Sequence, residues 1–155
     1  MGTAVTFRLE SDLKKPIADW LSTDGFDVHF ECEILGRRAD LVGHRAGCVA
    51  AVEAKLRDWR EAFRQALAYQ LAADRAWVAM PLDAAARAYR QRWRFEAEAV
   101  GLLAVDDSSR IRVLVAAQRS PRLLDFARSG LLAEGLCGGP NGIVFSKRQT
   151  DLEAF

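Results

Sequence analysis

At 155 residues and 50% hydrophobic content, the chain suits one globular domain with a real core rather than two. Its 22 basic and 21 acidic residues leave a formal net charge of +1, so any affinity for nucleic acid must come from a local patch. No apolar run approaches the roughly 20 residues of a membrane span, and the opening MGTAVTFRLESD lacks the basic-then-apolar order of a secretion signal. A cytoplasmic protein without a membrane partner is expected. The three cysteines, odd in number and without a CxxC, read as buried free thiols in a reducing compartment, and with two histidines they do not suggest a zinc site.

In chain order, Ser11 or Asp12 can cap a first helix running to about Leu21, with Leu13, Ile17, Trp20 and Leu21 as its apolar stripe. Pro16 fits only in a first turn, which moves the expected start toward Lys14. Thr23-Asp24-Gly25 ends it. Val28, Phe30, Cys32 and Ile34 alternate with His29, Glu31 and Glu33, which predicts a strand with one wet face. After a turn at Gly36, strands are expected over Arg38–His44 and Cys48–Leu56, joined around Arg45-Ala46-Gly47. The segment RDWREAFRQALAYQLAADR is helical in pattern, with Trp59, Phe63, Leu67 and Leu71 facing the sheet. AWVAMP reads as an internal strand. A second long helix is expected from Asp83 to about Ala99, with the stripe Tyr89, Trp93, Ala97. Strands Leu102–Val105 and Ile111–Ala116 follow around a turn at Asp106–Ser109. The tail offers a helix over Leu123–Leu132 and a last strand over Ile143–Ser146. The class is α/β, a mixed sheet with helices on both faces. It is one domain, with a core over about 10–80, an extension over 81–119 and a C-terminal helix and tail over 120–155.

The segment RRADLVGHRAGCVAAVEAKL is the most strand-like in the chain, yet it holds Asp40, Glu53 and Lys55. Ionised groups are rarely buried without a partner or a metal. A tight turn on Ala46-Gly47, or a four-residue turn over Arg45–Cys48, puts Asp40 directly across from Glu53 and Lys55 opposite Arg38. Glu53 and Lys55, two apart, share a face, so the three charges converge. A three-residue loop would shift the register and break this. Two carboxylates about 4 Å apart repel by roughly 4 kcal/mol at an effective dielectric near 20. A shared proton, a cationic side chain or a divalent metal can offset that. Oxygen ligands without clustered His or Cys favour Mg²⁺ or Mn²⁺. Lys55 would then orient or deprotonate a water, or stabilise charge on a phosphorane. The plainer reading of these residues is a surface ion-pair cluster.

Asp40, followed on the next strand by Glu53-Ala54-Lys55, resembles the PD-(D/E)-x-K nuclease superfamily, and the helix, hairpin and following helix resemble its restriction-endonuclease-like αβββαβ core over about Glu10 to Met80. Glu10 resembles the acid that many members place at the first helix. Gln65-Ala66-Leu67-Ala68-Tyr69 resembles the Q-x-x-x-Y signature of RecB-like and Cas4-like nucleases, although no iron–sulfur cysteine pattern accompanies it, and Ala39 replaces the motif's proline. The resemblance implies Asp40, Glu53, the carbonyl of Ala54 and Glu10 as ligands of Mg²⁺ or Mn²⁺, Lys55 as the catalytic lysine, and Gln65 and Tyr69 as positioning residues. By themselves, Glu10 is also a helix-dipole acid, and Gln65 and Tyr69 fit helix-surface packing. Glu31 and Glu33 read as the wet face of the first strand, and His29 and His44 as solvated or packed. Arg57, Arg60 and Arg64, near Lys55, suit phosphate contacts, as does Arg38, while Arg87, Arg90 and Arg94 read as a solvated stripe. The resulting expectation is a metal-dependent deoxyribonuclease, an endonuclease acting on DNA as a homodimer through its C-terminal helix and tail. The alternatives are a nuclease-like binding or assembly subunit without catalysis, and an α/β domain binding another phosphorylated ligand.

Overall fold

The computed structural model describes residues 6–133 and the backbone of 144–145. The Asp12 carboxylate accepts the Arg8 and Leu9 N–H groups at 3.1 and 2.9 Å, over a 3₁₀ turn at Glu10–Leu13. Helix α1 (Lys14–Thr23) follows, with Pro16 in its first turn, where a missing N–H costs nothing. Then come β1 (Asp27–Ile34), β2 (Arg37–Arg45), β3 (Cys48–Ala54), α2 (Trp59–Tyr69) and β4 (Arg75–Pro81). The order so far is α-β-β-β-α-β. Helices α3 (Leu82–Tyr89) and α4 (Arg92–Ala97), strands β5 (Gly101–Val105) and β6 (Ile111–Val115), helix α5 (Asp125–Ala133) and strand β7 (Val144–Phe145) complete it.

The strands form one mixed sheet in the order β6-β5-β4-β3-β2-β1-β7. The hairpins β1–β2 and β2–β3 are antiparallel, β3, β4 and β5 run parallel, and β6 and β7 pair antiparallel at the edges. Both hairpins turn on two residues with positive φ, Leu35-Gly36 (50° and 78°) and Ala46-Gly47 (45° and 79°). That conformation matches the twist of the flanking strands and allows only an even register. Helix α1 covers one face, packing Leu13, Ile17 and Leu21 on Val28, Leu41, Val52 and Trp77. The other face carries Trp59, Phe63, Ala66, Tyr69, the alanines of α3 and Phe95. None of the helices formed by the described residues is long and apolar enough to cross a membrane.

Several expectations change. The single wet face of β1 does not hold: Val28 packs on the α1 side, whereas Cys32 and Ile34 pack on the α2 side. Glu31, between them, has φ of 54°, a left-handed residue inside a strand, and the alternation changes sides there. The long helix expected over Asp83–Ala99 is broken at Arg90-Gln91 into α3 and α4. The expected stripe Tyr89, Trp93 and Ala97 is exposed, and Ala84, Ala85, Ala88 and Phe95 are buried instead. Helix α2 ends at Tyr69, so Leu71 lies beyond it, and Ala62, Ala66 and Tyr69 continue the buried stripe. Strand β3 ends at Ala54, two residues short of Leu56. Helix α5 starts at Asp125 rather than Leu123. Cys48 is a free, half-buried thiol, but Cys32, fully buried, is not free. Cys137, Ile143, Ser146 and the tail assigned to a dimer interface lie outside the described residues.

Close packing is tightest where β4 meets β5. Trp77 sits opposite Gly101 and meets Trp20 edge-on at 5.3 Å. A Cβ on Gly101 would lie 2.2 Å from the Trp77 ring and 2.8 Å from the Ala117 nitrogen. Gly101→Ala is therefore expected to lower stability by about 1–3 kcal/mol, the usual cost of overpacking. Urea unfolding checks this; an unchanged midpoint would show that the ring can move aside freely.

Candidate active site

The cluster grows from the end of the β2–β3 hairpin. The even turn pairs Arg45 with Cys48 and His44 with Val49, through to Leu41 with Val52. The next position along would pair Asp40 with Glu53, and there the backbone ladder stops. Instead the Ala54 N–H donates to the Asp40 carboxylate at 2.8 Å. The Asp40 and Glu53 carboxyl groups lie within hydrogen-bonding reach of each other. Glu53 is 5% exposed, so two acids share a poorly hydrated spot.

Their protonation follows from that crowding. Burial, then the charge of Asp40, pushes the Glu53 carboxyl up to about 8, against hydrogen bonding by Tyr69 and the pull of Lys55. Burial also raises Asp40, opposed by the Ala54 N–H and by Lys14. Like charges this close do not both ionise near neutrality, so the pair holds a proton between them. Tyr69 braces it from α2: its hydroxyl lies 2.7 Å from Glu53 Oε2 and 3.0 Å from the Arg38 carbonyl oxygen. The phenol can donate to an ionised Glu53, or to Arg38 when Glu53 carries the proton. Burial, and then its bond to Glu53, raises the Tyr69 phenol far above its ordinary range, so it stays a neutral donor.

Lys55 continues the site. Its N–H donates to the Ala79 carbonyl at 3.1 Å, which extends the β3–β4 pairing by one residue. Its ammonium lies 3.7 Å from Glu10 and 3.6 Å from Glu61. Burial by itself would lower the Lys55 pKa, but Glu10, Glu61, Glu53 and Asp40 outweigh it and hold the ammonium above the ordinary lysine value. Gln65 donates to Glu61 at 3.3 Å, one turn back along α2. The two residues of the Q-x-x-x-Y pattern thus brace the two halves of the cluster, Tyr69 directly on Glu53 and Gln65 through Glu61 on Lys55.

Asp40, Glu53, Lys55, Tyr69, Gln65 and Glu10 therefore belong to one connected network. Glu10, however, pairs with Lys55 and reaches Asp40 only through its charge. Ala54 is tied in by its N–H. Arg38 is exposed, 4.0 Å from Glu31. Arg57 and Arg64 are exposed and make no ion pair among the described residues, while Arg60 lies over the Trp59 ring at 4.6 Å. His29 is buried, and desolvation lowers its pKa; His44 accepts the Gly47 N–H at 3.3 Å. Both are packed, and neither joins the cluster.

Sequence reasoning missed two members. Lys14 pairs with Glu31 and stands 3.8 Å from Asp40, a cation set against the carboxylates from the start of α1. No spacing links residue 14 to residue 40, so only the packing of α1 could reveal it. Glu61 had a signal in the sequence, its position four before Gln65 on α2. Among the described residues no three His, Cys, Asp or Glu side chains form a ready cage. A cation here would rest on two carboxylates, backbone and water, the donor set that Mg²⁺ commonly takes. Comparison with family models, curated proteins and solved structures gives no match in any of the three.

The shared proton makes stability depend on pH. The folded pair binds its proton more tightly than the unfolded chain, whose glutamate titrates near 4.5. The associated stability is complete below that value and is lost as pH rises through about 8. In EDTA, the melting temperature of the wild type is expected to fall relative to Glu53→Gln between these two pH values. Parallel melting curves for the two proteins across that window would rule out the shared proton.

Proposed function

We propose that the protein is a divalent-metal-dependent nuclease with a restriction-endonuclease-like core, hydrolysing phosphodiester bonds in DNA. The observation that carries this reading is the Asp40–Glu53 pair beside a cationic Lys55: a buried and a half-buried carboxyl group that need a counter-charge, next to an ammonium that remains charged. The α-β-β-β-α-β order of α1 to β4 supports it, as does the bracing of the cluster by Gln65 and Tyr69.

Asp40, Glu53 and the Ala54 carbonyl would hold Mg²⁺ or Mn²⁺, which when bound polarises a phosphoryl oxygen and acidifies a water. The chain's own residues supply the rest. Lys55, held as an ammonium chiefly by Glu10 and Glu61, is poorly suited to removing a proton. It is well placed to orient the attacking water and to stabilise negative charge on phosphorus. Tyr69 aims Glu53, and Glu61 with Gln65 aims Lys55. Arg57, just before α2, and Arg60 and Arg64 on it would hold the phosphate backbone. Internal cleavage by a homodimer, and the alternative of a binding subunit without catalysis, are separated from this core by experiment.

With Mn²⁺ and linear, nicked, branched or single-stranded DNA, the wild type is expected to cut at least one substrate, and Lys55→Ala to cut it about a hundredfold more slowly. Equal cleavage by the two proteins, or none by either, overturns the catalytic reading, and binding without cutting favours the assembly subunit. In a calorimetric titration, Asp40→Asn is expected to abolish Mn²⁺ binding. Retained affinity would remove that carboxylate from the metal site and favour another phosphorylated ligand.

A further inference from the structure

Trp93 is 62% exposed, on a helix whose other aromatic residue, Phe95, is fully buried against Trp59 and Phe63. Phe95 lies seven residues beyond the buried Ala88 and Trp93 four beyond the exposed Tyr89, so the two rings take opposite sides. The Trp93 indole nitrogen donates only to Gln91, at 3.2 Å. Around it, cations and rings alternate: Arg60 lies 4.6 Å from the Trp59 ring, and Arg94 lies 5.8 Å from Trp59 and 5.7 Å from Trp93. Beside them Arg92 lies 4.8 Å from Tyr89, itself 38% exposed. A large aromatic ring left in water among guanidinium groups is an unusual use of surface.

Arginine outnumbers acid on this face. Residues 83–98 hold four arginines and three acids; Asp83 pairs with Arg87 at 4.0 Å and Glu98 with Arg122, which leaves Arg90, Arg92 and Arg94 without an ion pair among the described residues. Arg60 and Arg64 on α2, and Arg57 just before it, add positive charge, interspersed with Asp58 and Glu61.

We infer that this α2–α4 face is a platform for single-stranded nucleic acid, with Trp93 stacking on an unpaired base and Arg60, Arg92 and Arg94 holding the adjoining phosphates. The inference rests on the proposed function for its ligand class and deepens it by naming the form of the substrate, a strand with unpaired nucleotides. A duplex hides its base faces; a single strand offers a base and a phosphate at each step, which matches rings alternating with guanidinium groups. A protein partner for this face would have to be acidic.

The test is fluorescence anisotropy of the full chain in EDTA, so that binding is read without cleavage. The probes are a labelled single strand, a blunt duplex and the same duplex with a single-stranded overhang. The wild type is expected to prefer the two probes with unpaired bases. Trp93→Ala should weaken binding to those two about tenfold and leave the blunt duplex unchanged, while Trp93→Phe keeps most of the affinity. Arg94→Ala should weaken single-strand binding and flatten its salt dependence. Trp93 is exposed, and equal melting temperatures confirm that the variants are folded. Wild-type affinity in Trp93→Ala, an equal loss on blunt duplex and overhang, or no binding to any probe would each overturn the platform. Lys55-dependent cleavage indifferent to Trp93 removes the platform and keeps the nuclease; Trp93-dependent binding without any cleavage does the reverse.

Discussion

Two carboxyl groups on neighbouring strands, forced together where water is scarce, are the constraint around which the rest of the site is arranged. Neither Asp40 nor Glu53 is unusual alone. Their juxtaposition follows from the two-residue Ala46-Gly47 turn, whose positive φ angles set an even register. Every nearby feature then acts on the repulsion between them. The Ala54 N–H solvates Asp40, Lys14 stands opposite it, and Tyr69 holds Glu53. The proton they share is the metal-free answer to a charge problem that a divalent cation would answer more completely.

The network has two arms with different chemistry. One is a short, dry chain through Tyr69, Glu53 and Asp40, in which protons are shared and pKa values are raised. The other is wetter and ionic, from Gln65 through Glu61 to Lys55 and Glu10, and keeps an ammonium charged. Helix α2 ties the arms together because Gln65 and Tyr69 lie one turn apart and each reaches a different arm. A nuclease site needs both: a place that concentrates negative oxygen ligands and, beside it, a fixed positive charge for the phosphoryl group.

Much of the fold was legible because periodicity and turn chemistry are local. The strand pattern of Cys48 to Ala54, the apolar AWVAMP segment and the Pro16 restriction on α1 each reflect residues within a few positions of one another. The site residues on the hairpin were legible for the same reason, since one turn sets their register. Three features were not. The left-handed Glu31 reverses the alternation of β1, and nothing in its neighbours marks it. The helix breaks after Tyr89 with no Gly or Pro to mark it, and the large rings Tyr89 and Trp93 face water while small alanines and Phe95 are buried. The contact of Lys14 with Glu31 and Asp40 depends on where a helix lands on a sheet.

By itself, then, the sequence determined the α/β class, the order of elements and the convergence of Asp40 with Glu53, because these depend on short-range sterics and on the period of apolar residues. The tertiary structure decided which charges surround that pair, which ring of α4 is buried and which is left in water, and that Lys55 remains cationic. Those outcomes depend on burial and on groups far apart in the chain, and desolvation and Coulomb interactions are set by three-dimensional distance rather than by separation along the chain.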